Sequence, residues 1–364
     1  FFFKQKTAYE IRPRDWSSDV CSSDLLVASK DKVLAVEAVG FADRVAKQPM
    51  KADALFWIAS QSKPITAVAV MMLVDEGKLR LDDPVEKYLP EFKGQLLDAG
   101  KGADGKPALK APAHPITVRE VLSHTSGLPF KSAVEQPTLD GLPLRDAVSS
   151  YAKTPLTFEP GTKYTYSNAG INTAARLIEV LTGKSYEAFM DERLFHPLGM
   201  KDTTFWPTKA QLTRLATPHK PNAAKTGLEL TTISQLYYPL DERAKRFPMP
   251  AGGLFSTAAD VAKFCQMLLN GGELNGKRFL SAAALKELTR RQTPETLKES
   301  YGLGFGVGGG GFGHGGALAT NMNIDPARGL IIVWLVQHQG FPGEGGKAQG
   351  VFRKTAEEQF AKQP

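Results

Sequence analysis

Cysteine is nearly absent: the 364-residue chain holds only Cys21 and Cys265. A small disulfide-stapled scaffold is therefore excluded. Histidine is also scarce. His114, His124, His196, His219, His314 and His338 are scattered without metal-ligand spacing, so no metal or other cofactor is expected. No apolar run reaches the ~18 residues that a membrane-crossing helix needs. No dense Lys/Arg block occurs, and the net charge of +7 is spread along the chain. That balance bears on solubility and argues against a nucleic-acid partner. No internal repeat is visible. What is present is an ordinary globular mixture, 42% hydrophobic and 23% charged. It suffices for one large domain or two subdomains with their own cores.

Residues 1–25 stand apart. They read FFFKQKTAYEIRPRDWSSDVCSSDL, with little periodicity and a Ser/Asp-rich second half. The stretch resembles a translated sequencing adapter: Lys4 to Glu10 can be written AAG CAG AAG ACG GCA TAC GAG. It lacks the apolar centre of a signal peptide. We therefore expect this segment to be non-native, and the natural N-terminus, with any signal peptide, to be missing. Cys265 is then the one native cysteine. The charge balance is unaffected, because Lys4, Lys6, Arg12 and Arg14 cancel Glu10, Asp15, Asp19 and Asp24.

From Leu26 the chain reads as structure. Two apolar runs around Lys30-Asp31-Lys32 predict a hairpin up to Gly40. Ile65, Val68, Val70, Met71, Leu73 and Val74 predict a helix from Ser60 to about Gly77. Asp83-Pro84 suits an N-cap followed by N1. Residues 94–115, rich in Gly, Lys, Ala and Pro, read as an exposed loop. Thr117 and Glu120 form a capping box for a short helix ending near His124-Thr125-Ser126-Gly127. Further helices are expected over Asn168–Gly183, from Thr257 to Leu269, and from about Lys347 to Gln359. Ala317 to Ile324 and Leu330 to Val336 read as late strands. The expected division is 26–58 plus 250–364 as an α/β subdomain and 59–249 as a mostly helical one. The active site is expected at their junction.

Three short motifs carry chemistry. Ser60 and Lys63, three apart at a helix start, share one face about a turn apart. The serine there has a base in reach and stands in the positive field of the helix N-terminus. Ser62 is the rival nucleophile, but it lies next to Lys63 in sequence and points about 100° away around a helix. Tyr166 and Asn168, two apart in an extended segment, point the same way. Tyr166 is either a proton acceptor and donor or a half-buried aromatic. Asn168 either holds a substrate amide or the lysine, or is a helix N-cap. His314-Gly315-Gly316-Ala317 is read as opening a strand, whose glycines let a substrate lie close. The N–H groups of Ala317 and Ser60 are candidates for an oxyanion hole. Gly304-x-Gly306-x-x-Gly309 formally matches a dinucleotide fingerprint, but a strand follows it and no P-loop lysine is present. Tyr237, Tyr238, Arg243 and Arg246 read as a solvated loop or as a cleft rim.

In this order, S-x-x-K, Y-x-N and H-x-G, the chain resembles the serine beta-lactamase and penicillin-binding protein superfamily. It most resembles class C beta-lactamase-related hydrolases, which include D-alanyl-D-alanine carboxypeptidases and esterases. Leu55-Phe56-Trp57-Ile58-Ala59, Leu122–Leu128, Glu159-Pro160-Gly161, Pro197–Met200 and Ala251–Ser256 agree with that family, over roughly residues 26–360. The resemblance implies an α/β (α+β) fold of the beta-lactamase/transpeptidase type. That is an antiparallel sheet flanked by helices, with a large helical insertion. It implies Ser60 as nucleophile, Lys63 and Tyr166 as proton shuttles, and Asn168 as a substrate-positioning residue. His314, Gly315 and Gly316 would line the binding strand, and the Ala317 N–H would hold the oxyanion. It makes the His-Thr-Ser-Gly segment structural, and it implies export or a periplasmic location. It also implies a first helix packed beside the C-terminal one, for which residues 1–25 are expected to be no substitute. True class C beta-lactamases carry lysine where His314 stands. A mostly neutral histidine at that place points to ester or D-amino-acid amide substrates rather than antibiotics. A true beta-lactamase and an inactive peptidoglycan-binding relative are the alternatives.

Overall fold

Leu25 and Val27 alternate with Leu26 and Ala28, so the two faces of one strand bury into different cores. In the computed structural model, which describes residues 23–361 apart from 103, 104 and 106, this strand lies inside a sheet. The main sheet contains β1 (Ser23–Ala28), β2 (Val33–Val39), β3 (Gly306–Gly308), β4 (Gly311–Gly315), β5 (Asn321–Asp325) and β6 (Leu330–Val336). Their spatial order is β3-β4-β5-β6-β1-β2, and every pairing is antiparallel. Five helices position the site: α1 (Ser62–Asp75), α2 (Val118–Ser123), α3 (Asn168–Thr182), α4 (Ala258–Leu269) and α5 (Ala348–Phe360). Helix α5 covers one sheet face, with Phe352 against Trp334, Leu25 and Val27. Helix α4 covers the other, packing on β1, β5 and β6. The chain segment between β2 and β3 holds α1 to α4, further short helices and five small two-stranded sheets joined by long loops, and the fold is α/β.

Helix α1 is buried on all sides from Ser62 to Leu73, as an apolar helix without a polar stripe must be. It packs against α3, which starts at the Ser167 N-cap and stops at left-handed Gly183. The Thr117–Glu120 capping box of α2 is present as expected. One core runs continuously from the sheet through α4 and α1 to α3.

Several expectations need correction. Residues 94–115 contain a hairpin, Leu97–Lys101 paired with Pro107–Lys110. Asp83 is no N-cap: its carboxylate accepts from the Arg80 N–H, the Lys87 ammonium and the Tyr88 hydroxyl, closing a polar turn. The late strand begins at Asn321. Before it lies a turn in which Leu318 and Ala319 take φ of 61° and 65°. His314 and Gly315 close a strand and do not open one. Arg246 neither rims a cleft nor sits in solvent. It is 2% exposed and paired with buried Asp140 at 2.8 Å, and it donates to the Leu240 carbonyl.

Strand β1 starts at Ser23, three residues before the predicted hairpin. The expectation of no substitute first helix falls on residues 1–22, which lie outside the described residues. Asp24 is fully buried on the face of Leu26 and Ala28, between Leu335 on β6 and Ala38 on β2. Neither carboxyl oxygen has a hydrogen-bond partner among the described residues. Burial, with nearby Asp53 adding to it, pushes this carboxyl up to about 8.

Candidate active site

The nucleophile turn is made by strain and close approach. Ala59 takes φ 48°, an uncommon conformation for a residue with a side chain, just before Ser60. The following 3-10 turn, Ala59–Gln61, runs straight into α1. Gly304 crosses the first turns of α1 so closely that a Cβ there would sit 2.7 Å from the Ala67 Cβ and 3.1 Å from the Lys63 carbonyl. Gly316 is equally confined, its would-be Cβ 2.4 Å from the Ile58 carbonyl. So Gly304, just before β3, packs on the start of α1, and Gly316, just after β4, packs on the segment that enters the nucleophile turn. Those contacts place the third motif beside the first.

Lys63 is wholly buried beneath Ser60. Its Nζ lies 2.7 Å from Asn168 Oδ1, 2.7 Å from the Ala251 carbonyl and 3.1 Å from Ser60 Oγ. Two of these partners can only accept. A neutral amine has two N–H donors for them, and its lone pair then faces the one partner that can donate, the serine hydroxyl. Burial lowers the Lys63 pKa well below the usual lysine range, which favours this neutral form. Ala251 is itself held by Asn172 on α3, whose side-chain oxygen accepts from the Ala251 N–H.

Asn168 therefore does not cap its helix: Ser167 does, accepting from the Gly170 N–H. Tyr166 lies two residues earlier. The Ser60 hydroxyl acts on the Tyr166 hydroxyl, holding the phenol pKa down against burial, and the Lys63 Nζ stands 4.5 Å from the Tyr166 ring centre. Burial raises the Tyr166 pKa, so the group rests as a phenol and not as a phenolate. Ser62 turns away, donating to the Ala59 carbonyl at 2.6 Å and accepting from the Leu254 N–H at 3.2 Å. Both bonds tie it into the core and leave it without a base.

The structure also brings in two residues that the motifs did not point to. His124, at the left-handed end of α2, is more than a support beneath the site. Its ring lies 4.6 Å from that of Tyr166 and 4.8 Å from that of Tyr301. Tyr301 hydrogen-bonds both His124 and His314. Its only sequence signal is its place before Gly302 and Gly304, which mark close backbone approach. A cleft of about 720 Å³ opens beside this cluster and runs from Tyr166 and His314 over the glycines of β4 to Trp334 and Arg353. Among the described residues, no group of three or more His, Cys, Asp or Glu could hold a metal ion, and no helix is long and apolar enough to cross a membrane.

A family model described as Beta-lactamase matches residues 17–354. An uncharacterized protein of Mycobacterium tuberculosis is 32% identical, with 88% of each chain covered. Esterase EstB of Burkholderia gladioli is 32% identical over 65% of this chain and 63% of its own. Among solved structures, EstCE1, a hydrolase with promiscuous acyltransferase activity, is 25% identical. It superposes with a TM-score of 0.74 over 93% of each chain.

Proposed function

Because this chain belongs to the beta-lactamase family and is a serine hydrolase working through an acyl-serine, we propose that Ser60 is the nucleophile, Lys63 its base and Tyr166 the proton relay. The observation that carries the proposal is the matching of the Lys63 donors to two pure acceptors, which leaves its lone pair on Ser60. As Ser60 Oγ bonds to the substrate carbonyl carbon, its proton passes to Lys63 Nζ. The backbone N–H groups of Ser60 and Ala317 hold the developing oxyanion. The new ammonium is eased by the face of the Tyr166 ring. The phenol hands a proton to the leaving oxygen or nitrogen as that bond breaks, and is restored from Lys63. Water then attacks the acyl-serine and loses its proton to the same pair, which returns a proton to Ser60 Oγ as the bond to the acyl carbon breaks and the acid leaves. Asn168 keeps Lys63 in place, and Gly315 and Gly316 let the substrate lie along the end of β4.

We assign ester or D-amino-acid amide substrates in preference to beta-lactams. His314 supports this, since burial and the nearby Lys63 push its pKa down to about 3 and leave it uncharged. The esterase relative supports the same reading. Turnover of short-chain p-nitrophenyl esters is expected to exceed that of a chromogenic cephalosporin by at least about a hundredfold in kcat/KM. Efficient cephalosporin turnover with negligible ester turnover would overturn the assignment.

Two substitutions test the nucleophile. A fluorophosphonate probe should label the wild type and fail to label Ser60→Ala; an unlabelled wild type would indicate an inactive relative. Ser62→Ala should label at the wild-type rate while losing about 1–2 kcal/mol of stability in urea unfolding, from its two buried hydrogen bonds. Loss of labelling in the folded Ser62→Ala protein would reassign the nucleophile.

A further inference from the structure

Five groups from four separate stretches of the chain form one hydrogen-bonded line beside the nucleophile. The Ser167 N–H lies 3.2 Å from His124 Nδ1, and His124 Nε2 lies 3.2 Å from the Tyr301 hydroxyl. That hydroxyl lies 3.0 Å from His314 Nε2, and His314 Nδ1 meets the Gly315 carbonyl. The ends of the line fix its direction. A backbone N–H can only donate, so His124 Nδ1 accepts, and a neutral His124 then donates from Nε2 to Tyr301. A carbonyl can only accept, so His314 donates from Nδ1 and its Nε2 accepts from the Tyr301 hydroxyl. A tyrosine has one hydroxyl proton, and the line uses it once. With both imidazoles neutral, as their burial favours, the two ends agree on one arrangement.

We propose that Tyr301, held by His124, is a positioning residue that locks His314 as the neutral Nδ1–H tautomer, so that this wall of the cleft selects against substrates carrying a carboxylate. This rests on the serine-hydrolase reading and specifies its substrate class. With Nδ1 bound to Gly315 and Nε2 to Tyr301, His314 offers the substrate neither a charge nor a spare ring hydrogen bond. The acyl or leaving group that passes it is uncharged. The groups facing His314 are Lys63 from α1, Tyr166 from the segment before α3, His124 from the end of α2, and Tyr301, with the Tyr164 ring tilted against that of Tyr301. The carboxylate of Glu299 acts on Tyr164.

The test reads the tautomer directly. In 15N-labelled wild-type protein, with His314 assigned by its loss in His314→Gln, the ring should show a protonated Nδ1 and a bare Nε2, unchanged from pH 8 to pH 6. The opposite tautomer, rapid averaging of the two, or titration within that range would overturn the proposal. This readout needs no substrate, so it is independent of whether the serine-hydrolase reading holds. In Tyr301→Phe, which keeps the ring and removes only the hydroxyl, Nε2 loses the bond that favours the neutral ring, and His314 should titrate within that range. The ratio of kcat/KM for p-nitrophenyl hydrogen succinate to that for p-nitrophenyl butyrate should rise at least about fivefold between pH 8 and pH 6. In the wild type the ratio should stay flat. A Tyr301→Phe protein with the wild-type spectrum and a flat ratio would show that Tyr301 is packing alone.

Discussion

Lys63→Met is expected to lower kcat/KM on p-nitrophenyl acetate by about a thousandfold or more, with the protein still folded. Methionine fills similar volume but cannot take the Ser60 proton. The loss should fall on kcat, because Lys63 lies beneath Ser60 and outside the cleft lining. The same group sets a pH dependence. Its folded pKa is lowered, so between that value and the ordinary lysine value the folded state binds fewer protons than the unfolded chain. Stability from this group therefore rises with pH through that window, and acylation rises with it as the free amine forms. Below the folded pKa Lys63 is an ammonium without a lone pair for the serine. Pre-steady-state acylation rates across pH would check this. In wild type they should climb with pH and then level, while in Lys63→Met they should be low throughout. A variant retaining a tenth of wild-type acylation would make Tyr166 the base instead.

The second large effect concerns stability. Asp24→Val should raise the unfolding temperature by several degrees at pH 7.5. The carboxyl sits at zero exposure among Leu335, Ala38 and Leu26, without a partner among the described residues. Its pKa is raised from 3.8 to about 8. Between those values the folded protein holds a proton that the unfolded chain has released, so stability falls as pH rises through the window. Each tenfold change in proton affinity corresponds to about 1.4 kcal/mol, so at pH 7.5 the cost is on the order of 5 kcal/mol. Valine removes the cost and suits a strand position. Calorimetry at pH 5 and pH 8 on both proteins would decide. Asp24→Val should gain most at pH 8, with a flatter pH profile. Equal slopes would mean that Asp24 is hydrated in the folded state. The burden has a simple origin if residues 1–25 are adapter-derived: a foreign acidic residue occupies a strand position between apolar cross-strand partners, with a second carboxylate, Asp53, nearby.

Much of this arrangement is legible in the sequence because it is local. Helix α1 is announced by its apolar spacing, α2 by its Thr117–Glu120 box, and α3 by Gly183 at its end. Ser60, Lys63, Tyr166, Asn168 and His314 stand out by residue type and order, and the structure brings all five together. What spacing could not show depends on distant partners. His124 and Tyr301 are 177 residues apart, and Asp140 and Arg246 are 106 apart. Nothing near either member of a pair announces the other. Residues 94–115 and 317–320 misled because Gly, Ala and Pro choose between turn and strand through tertiary pairing. The left-handed Leu318 and Ala319 illustrate this, since no propensity favours that conformation for leucine. The N-cap reading of Asn168 failed by one residue, and that residue decided whether its amide capped a helix or bound Lys63.

The glycines of β3 and β4 line the cleft, and they also shape one open edge of the main sheet. Strand β3 is the edge of the main sheet on the cleft side, and an open edge invites pairing with a strand of another molecule. Here that edge is three residues long, and two of them are glycine. Gly308, Gly309 and Gly310 then turn the chain away in conformations with positive φ. Such an edge is too short and too poor in side chains to template a foreign strand. The same glycines that line the cleft thus leave little at this edge for a foreign strand to pair with.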